Sequence, residues 1–410
     1  IRLKCYNAQR NFHGREAHAS EIFLRHMFHS SIMIHYLDNS ATTRVCPEAA
    51  QAALSAMTEN FGNPSSTHTV GRDAKKQLDR SRASVASALG CTPGELIFTS
   101  CGSESDNWAL LAGAESMKRR GKHIVSSVAE HDAIRRSLDL LEERGFEITR
   151  LRPGPDGAVP VEAVREALRE DTILVSLMLV NNETGAFLPV QKTFSQIKRD
   201  YPQVITHCDA VQGFLKISVN PEKLCADLLT VSGHKVHAAK GIGALYHKKG
   251  IRLKPLLTGG EQEGGLRAGT ESVPLIAGFG AAVADLFPTI AERFAHVTAL
   301  RDAAICHFDA LDDVYIQSPE NSSPYILSFS VKELRSETML HFLAEREIYV
   351  SSGSACAKGK QSGVLQQFGI KQDAADSTLR VSFCAENTVE DVTALVAGIQ
   401  AAQELLVHKH

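Results

Sequence analysis

Leu228-Leu229-Thr230-Val231 followed by Ser232-Gly233-His234-Lys235 is the stretch on which the reading of this chain turns. Its apolar and β-branched run, stopped by a glycine, reads as a buried strand. A lysine just past such a strand stands where open α/β sheets carry their chemistry, outside the carboxyl ends of the strands. Gly241-Ile242-Gly243-Ala244-Leu245-Tyr246 follows as a second short strand with small residues that let backbones approach closely. Burial lowers the proton affinity of a lysine, which suits its amine to form a Schiff base. A Gly-His-Lys turn taken alone is more often a surface feature, so the weight rests on what the remaining chain sets beside it.

Strands and helices alternate on the N-terminal side of this stretch. Ile34–Leu37 reads as strand and Asp38–Thr43 as a polar turn; Pro47 then opens a helix through Met57. A helix over 72–89 stops at Gly90, and strand 95–99 leads through Ser100-Cys101-Gly102-Ser103 into a helix from Glu104 to Arg120. That helix start offers unpaired N–H groups and the positive end of the helix dipole, a favourable place for a phosphate. Strands at 123–127, 147–151, 172–180 and 204–208 alternate with helices at 132–144, after Pro160, and near 189–200. This spacing predicts a mostly parallel sheet covered by helices on both faces. The carboxyl ends of its strands carry Ser103, His131, Asn182, Asp209 and Lys235 in turn.

From about residue 290 the pattern changes to helices over 291–311, 337–347 and 388–406 with strands at 314–317, 325–331, 348–351 and 379–383. It predicts a smaller α+β C-terminal domain over 291–410 after a large domain over 44–290, with 34–43 packing against the small one. A small, polar loop, Ser351 through Lys360, lies between its strands. Residues 1–32 hold five Arg/Lys against two acidic residues and no clean period, and are read as a non-core extension.

A chain of 410 residues is too long for one core, and 43% hydrophobic with 22% charged residues is a globular composition. A net charge of −3 with interleaved signs gives no footprint for nucleic acid, and neither a P-loop nor a zinc-ligand spacing occurs. Nine scattered cysteines without a Cys-x-x-Cys pair point to free thiols and a reducing, cytoplasmic setting. No continuous apolar run reaches membrane-spanning length. No Gly-x-Gly-x-x-Gly follows the first strand, which disfavours a dehydrogenase.

Nine short motifs, in one order over residues 34–405, resemble those of the cysteine desulfurases, pyridoxal-phosphate enzymes of fold type I in the class V aminotransferase superfamily. They are Leu37–Thr43, Ser103–Asn107, Glu130-His131, Val180–Gly185, Asp209–Gln212, Ser232–Lys235, Arg267–Thr270, Ser351–Cys356 and Leu379–Ser382. The Ser-Ser-Gly-Ser-Ala-Cys run is similar to that of the subgroup with a longer cysteine loop, here 351–363.

The resemblance implies a role for each residue. Lys235 would hold the cofactor aldehyde and then act as base. Asp209 would pair with the pyridinium nitrogen, His131 would stack on the ring, Gln212 would bond the ring 3-oxygen, and Asn182 would support the substrate side. Gly102, Ser103, Ser232 and His234 would hold the phosphate, joined by Thr270 from the other subunit of a homodimer. Arg380 would clamp the substrate carboxylate. Cys356, as thiolate, would take sulfur from L-cysteine, leaving L-alanine and an enzyme persulfide that supplies iron–sulfur assembly or tRNA and cofactor thiolation through an acceptor protein.

The chain departs from the family at Ala238-Ala239, where a Gly-Pro pair is usual and a looser turn would follow. Cys101 stands for a usual glycine, a thiol at a helix N-terminus and a liability rather than a catalyst, and Ser103 for a threonine. Two rivals remain: another lyase or aminotransferase of the same fold, such as a selenocysteine lyase, and a non-catalytic sulfur-transfer scaffold. Cys356 discriminates the first, and the intact Lys235, Asp209 and Arg380 count against the second.

Overall fold

The computed structural model describes residues 33–154, 156–352 and 364–406. After a short strand β1 (His35–Tyr36), helix α1 (Pro47–Thr58) opens on a proline whose fixed φ suits the first turn. Helix α2 (Thr69–Leu89) follows. Strand β2 (Leu96–Thr99), helix α3 (Gly102–Met117), β3 (His123–Ser127), α4 (Asp132–Glu143), β4 (Glu147–Leu151), α5 (Val161–Ala167) and β5 (Thr172–Met178) then alternate. Helix α6 (Val190–Asp200), β6 (Ile205–Asp209), β7 (Leu228–Ser232) and β8 (Gly243–His247) complete a seven-stranded sheet of order β2-β8-β7-β6-β5-β3-β4.

Strands β3 to β7 run parallel, whereas β8 is antiparallel to both β2 and β7. The segment between β7 and β8 is too short for a crossover helix, so the chain can only return antiparallel. Successive strand residues fall into opposite cores: Phe98, Val125 and Leu229 face one, Ile97, Ile124 and Leu228 the other. Trp108 of α3 is wholly buried in the second and donates its indole N–H to Lys254 O at 2.8 Å.

Helix α7 (Val273–Leu286), which periodicity does not reveal, lies in the first core with α1 and α2. A 3₁₀ turn joins it to α8 (Ile290–Asp309). Together, Val273–Asp309 is the one stretch among the described residues long and apolar enough to cross a membrane, with a mean hydropathy of 1.6 over its best window. Ile276, Phe279, Val283 and Leu286 of that stretch pack with Leu78 and Val85 of α2, which accounts for its apolarity by burial in the core.

The C-terminal unit comprises β9 (Val314–Ile316), β10 (Ile326–Val331), α9 (Ser336–Ala344), β11 (Ile348–Tyr349), β12 (Ser351–Ser352), two short helices α10 (Val364–Gln367) and α11 (Gln372–Asp376), β13 (Thr378–Ser382) and α12 (Val389–Leu405). Its antiparallel sheet has the order β12-β13-β10-β9, packed with α8, α9 and α12 over a core of its own. The architecture is therefore the expected one, a mostly parallel sheet between helices with a smaller α+β unit. The N-terminal segment belongs to both halves. Strand β1 pairs with β11, and Leu37 is buried in the small core. Six residues on, Thr43 donates its N–H to His234 O at 2.9 Å.

The turn at Ala238-Ala239 is not loose. His237, at φ 58°, donates its N–H to Thr43 Oγ1 at 2.8 Å, and Ala238 N reaches Gly233 O at 3.1 Å. Ala238 is buried, so its methyl group fills the space under the turn.

Candidate active site

The carboxyl ends of β5, β6 and β7, the N-terminus of α3 and the β12–β13 edge enclose a cavity of about 420 Å³. Gly102, Ser103, His131, Asn182, Asp209, Gln212, Ser232, His234, Lys235 and Arg380, scattered over 279 positions of sequence, all line it. Thr270 does not, and is exposed on the segment after Arg267. Cys356 lies outside the described residues; Ser351 and Ser352, which precede it, line the cavity.

Lys235 ends a 3₁₀ turn that begins directly after β7. Its Nζ donates to Ser40 O at 2.6 Å and Ala41 O at 2.7 Å. Burial, reinforced by the Arg380 charge and opposed by Asp38 and Asp209, pushes its pKa down to about 8. An amine that sheds its proton near neutrality is a competent nucleophile and base.

Asp209 terminates β6 and accepts the Val211 N–H at 2.9 Å. Burial raises its pKa, while that N–H and the nearby His131 and Lys235 pull the other way. It therefore lacks a full counter-charge and would gain one from a cationic ring nitrogen. His131 caps α4, its Nδ1 accepting from Ala133 N at 3.1 Å, so the ring proton resides on Nε2.

Three buried groups beside these were not assigned roles from sequence. Asp106 of α3 lines the cavity with Oδ1 lacking a hydrogen-bond partner among the described residues, and burial and the Asp209 charge raise its pKa well above the usual range. His207 Nε2 lies 3.7 Å from that oxygen, and burial drops its pKa to about 3. Glu130 is pushed up to about 8 by burial, although Ser127 and Met178 N–H both donate to it. Asp106 and Glu130 fall inside quoted motifs, but only the folded sheet reveals that they lose their water.

The opposite end of the cavity is built for an anion. Cys101 is extended at the cap of α3, leaving Gly102 and Ser103 in the first turn. A Cβ on Gly102 would stand 3.0 Å from Val211 Cγ2 and 3.4 Å from Ser232 Cβ, so a side chain here would press on Val211 and narrow this wall. Ser232 Oγ is buried without a partner among the described residues. His234 Nδ1 faces Thr42 Oγ1 at 3.3 Å, and burial lowers its pKa to about 4, so it is neutral. A helix N-terminus with an orphaned hydroxyl fits a phosphate.

Arg380 brings a guanidinium to the same cavity. Its Nη1 donates to Asn182 O at 3.0 Å and its Nη2 to Asp38 Oδ1 at 2.8 Å, while Nε is buried without a partner among the described residues. Phosphate cradle, buried acid, amine of lowered pKa and guanidinium thus occur in one cavity. These residues fit a phosphorylated pyridine aldehyde such as pyridoxal phosphate together with an amino-acid carboxylate.

Residues 35–395 match the family model described as aminotransferase class-V. A Methanosarcina thermophila protein named cysteine desulfurase IscS is 39% identical over 360 residues, which span 87% of this chain and 89% of that protein. A solved NifS-like protein superposes with a TM-score of 0.87 at 35% identity, covering 91% of this chain and 100% of that one. DndA from Streptomyces lividans does so with a TM-score of 0.72 at 38% identity, covering 85% and 99%.

Proposed function

The chain belongs to the class-V aminotransferase family, and from that membership we propose that it is a pyridoxal-phosphate-dependent cysteine desulfurase. The supporting observation is the convergence of Lys235, Asp209 and Arg380 on one cavity, in a chain whose relatives carry that name. Bound pyridoxal phosphate supplies the electron sink that weakens the bonds around the substrate's α-carbon.

The chain's own residues do the rest. Gly102, Ser103, Ser232 and neutral His234 would take the phosphate, with Thr270 contributed across a dimer. With the cofactor bound, Asp209 would hold a proton at the ring nitrogen, His131 would cover the ring, and Gln212 would meet its 3-oxygen. Arg380 orients the substrate carboxylate while Asn182, through its carbonyl, steadies the guanidinium. Lys235, with its lowered pKa, moves protons at the substrate carbon. Cys356, as thiolate, attacks the substrate Sγ. The C–S bond breaks, the carbon receives a proton, and L-alanine leaves with the enzyme as Cys–S–SH.

The same reading assigns cofactor binding to residues 44–290 and the cysteine loop to the domain over 291–410. It makes the protein a cytoplasmic homodimer that passes sulfur to an iron–sulfur scaffold or a thiolation enzyme. Leu54, Met57 and Phe61, which leave a large apolar area exposed at α1, support the dimer.

The deciding experiment is mass spectrometry of the purified holoenzyme after incubation with L-cysteine. One sulfur atom added to the Cys356 peptide, with alanine formed, is the expected result. Sulfur transfer that survives Cys356→Ala overturns the persulfide step.

A further inference from the structure

Lys216 is a buried lysine with no counter-ion among the described residues. It lies seven residues past the end of β6, and no carboxylate oxygen approaches its Nζ within ion-pair distance among the described residues. The groups that face it are cations and weak acids. Burial, reinforced by the Lys235 and Arg380 charges, lowers its pKa to about 7, and Arg293, His237, Tyr325 and Cys384 line a small cavity of about 20 Å³ that it shares with Lys235. Tyr325 presents its ring to Nζ at 5.7 Å. A lysine held this way costs stability, so its usefulness must lie in the contact that it makes.

That contact is with Gln212. Lys216 Nζ donates to Gln212 Oε1 at 2.7 Å, and Gln212 Nε2 donates to Ser40 O at 3.0 Å. Ser40 O is also the acceptor of Lys235 Nζ. A carboxamide has one acceptor end and one donor end, the Lys216 amine has N–H to donate whether or not it is protonated, and a carbonyl only accepts. Lys216 and Ser40 therefore fix the same orientation of the amide from its two ends. Nε2 carries two hydrogens; Ser40 takes one, and the second is left for the cavity that Gln212 lines.

We infer that Lys216 is a positioning residue, which locks the Gln212 amide so that it offers N–H, and not its oxygen, to the cofactor's phenolic oxygen. The inference rests on the cofactor reading above. Without Lys216 the amide keeps one constraint in place of two, and its oxygen can turn to the cavity, where it would repel an anionic phenolic oxygen.

The test is a visible-absorbance titration of the holoenzyme, read as cofactor dissociation constant and as the pH midpoint of the absorbance change. For Lys216→Met, cofactor binding weakens by about tenfold, the scale of one charge-assisted hydrogen bond, and the pH midpoint moves upward. In a Gln212→Ala background the same change at Lys216 adds nothing to either readout, because no amide remains to be oriented. Gln212→Glu, which keeps a partner for Lys216 but offers no N–H, binds cofactor as weakly as Gln212→Ala, whether or not Lys216→Met folds. A Lys216→Met enzyme with unchanged midpoint and affinity overturns the inference. So does an undiminished effect in the Gln212→Ala background, or wild-type affinity in Gln212→Glu. A wild-type protein that develops no visible band with pyridoxal phosphate instead overturns the cofactor reading, and this inference with it.

Discussion

Arg380 and Asp38 are joined by a 2.8 Å bond from Nη2 to Oδ1 across 342 residues of sequence, one from the small sheet and the other from the N-terminal segment. The pair sits at the cavity wall with the arginine buried, so Asp38 both neutralises the guanidinium and aims it. Asp38→Ala is expected to raise KM for cysteine by about tenfold with a smaller change in kcat, since it disturbs orientation of the substrate carboxylate more than proton transfer. Loss of a charged hydrogen bond also costs about 1.5–3 kcal/mol of stability. Steady-state kinetics and urea melts separate the two effects, and an unchanged KM would remove Asp38 from the substrate site.

Glu130 makes stability depend on pH in a definite direction. Its folded pKa of about 8 lies above the usual carboxyl value, so the folded state retains a proton that the unfolded state has lost. Stability therefore falls as pH rises from the unfolded value towards 8, by at most about 1.4 kcal/mol per pH unit, and levels off above it. Glu130→Gln mimics the protonated form and keeps an acceptor for Ser127 and Met178. It should match wild type near pH 4 and exceed it progressively up to pH 8. Melting temperatures across that range give the answer, and parallel curves for the two proteins would refute it.

Gly243 begins β8 against the phosphate-end loop. A Cβ there would stand 2.7 Å from Cys101 C, a contact with backbone that cannot swing aside. Gly243→Ala is expected to cost about 1–3 kcal/mol as the strand and loop separate. It should also weaken cofactor retention, because Cys101 caps the helix whose first turn is proposed to take the phosphate. Retention that is unaffected while stability drops would show that the loop shifts without disturbing the anion end.

Much of this architecture is legible before folding. Strands β3 and β4 coincide with their apolar runs, and the punctuating Gly and Pro residues set most helix ends to within two or three positions. Helix α7 escapes because Val273–Leu286 is apolar on all sides and carries Pro and two Gly, so it has no amphipathic stripe. Its helicity comes from burial against α1 and α2, where Gly280 leaves no room for a Cβ beside Ser81. The antiparallel turn into β8 did have a signal, the lack of space for a crossover helix. In the site, most of the residues named from motifs line one cavity, though Thr270 does not and Cys356 lies outside the described residues. Asp106 and Lys216, by contrast, gain their shifted proton affinities only from desolvation and neighbours distant in sequence. No local pattern encodes that.

Glu263 and Arg82 offer the sharpest separation of folding from cofactor binding. Glu263 is almost wholly buried and meets Arg82 through two bonds, Nη1 to Oε2 at 2.8 Å and Nη2 to Oε1 at 2.5 Å, while Oε2 also accepts the Phe98 N–H at 3.0 Å. Four residues on, Arg267 Nε donates to Glu104 Oε1 at 2.9 Å, and Glu104 Oε2 accepts the Ser100 N–H at 2.8 Å. The segment leading to Thr270 is thus tied at two points to β2 and the start of α3. Glu263→Ala leaves Arg82 without its partner and should cost on the order of 3 kcal/mol. Changing both residues to Met removes the stranded charge, and most of that stability should return. Cofactor affinity should not return with it, because the tie that positions the segment is still missing. A double variant restored in both stability and affinity would mean that the pair serves the fold alone.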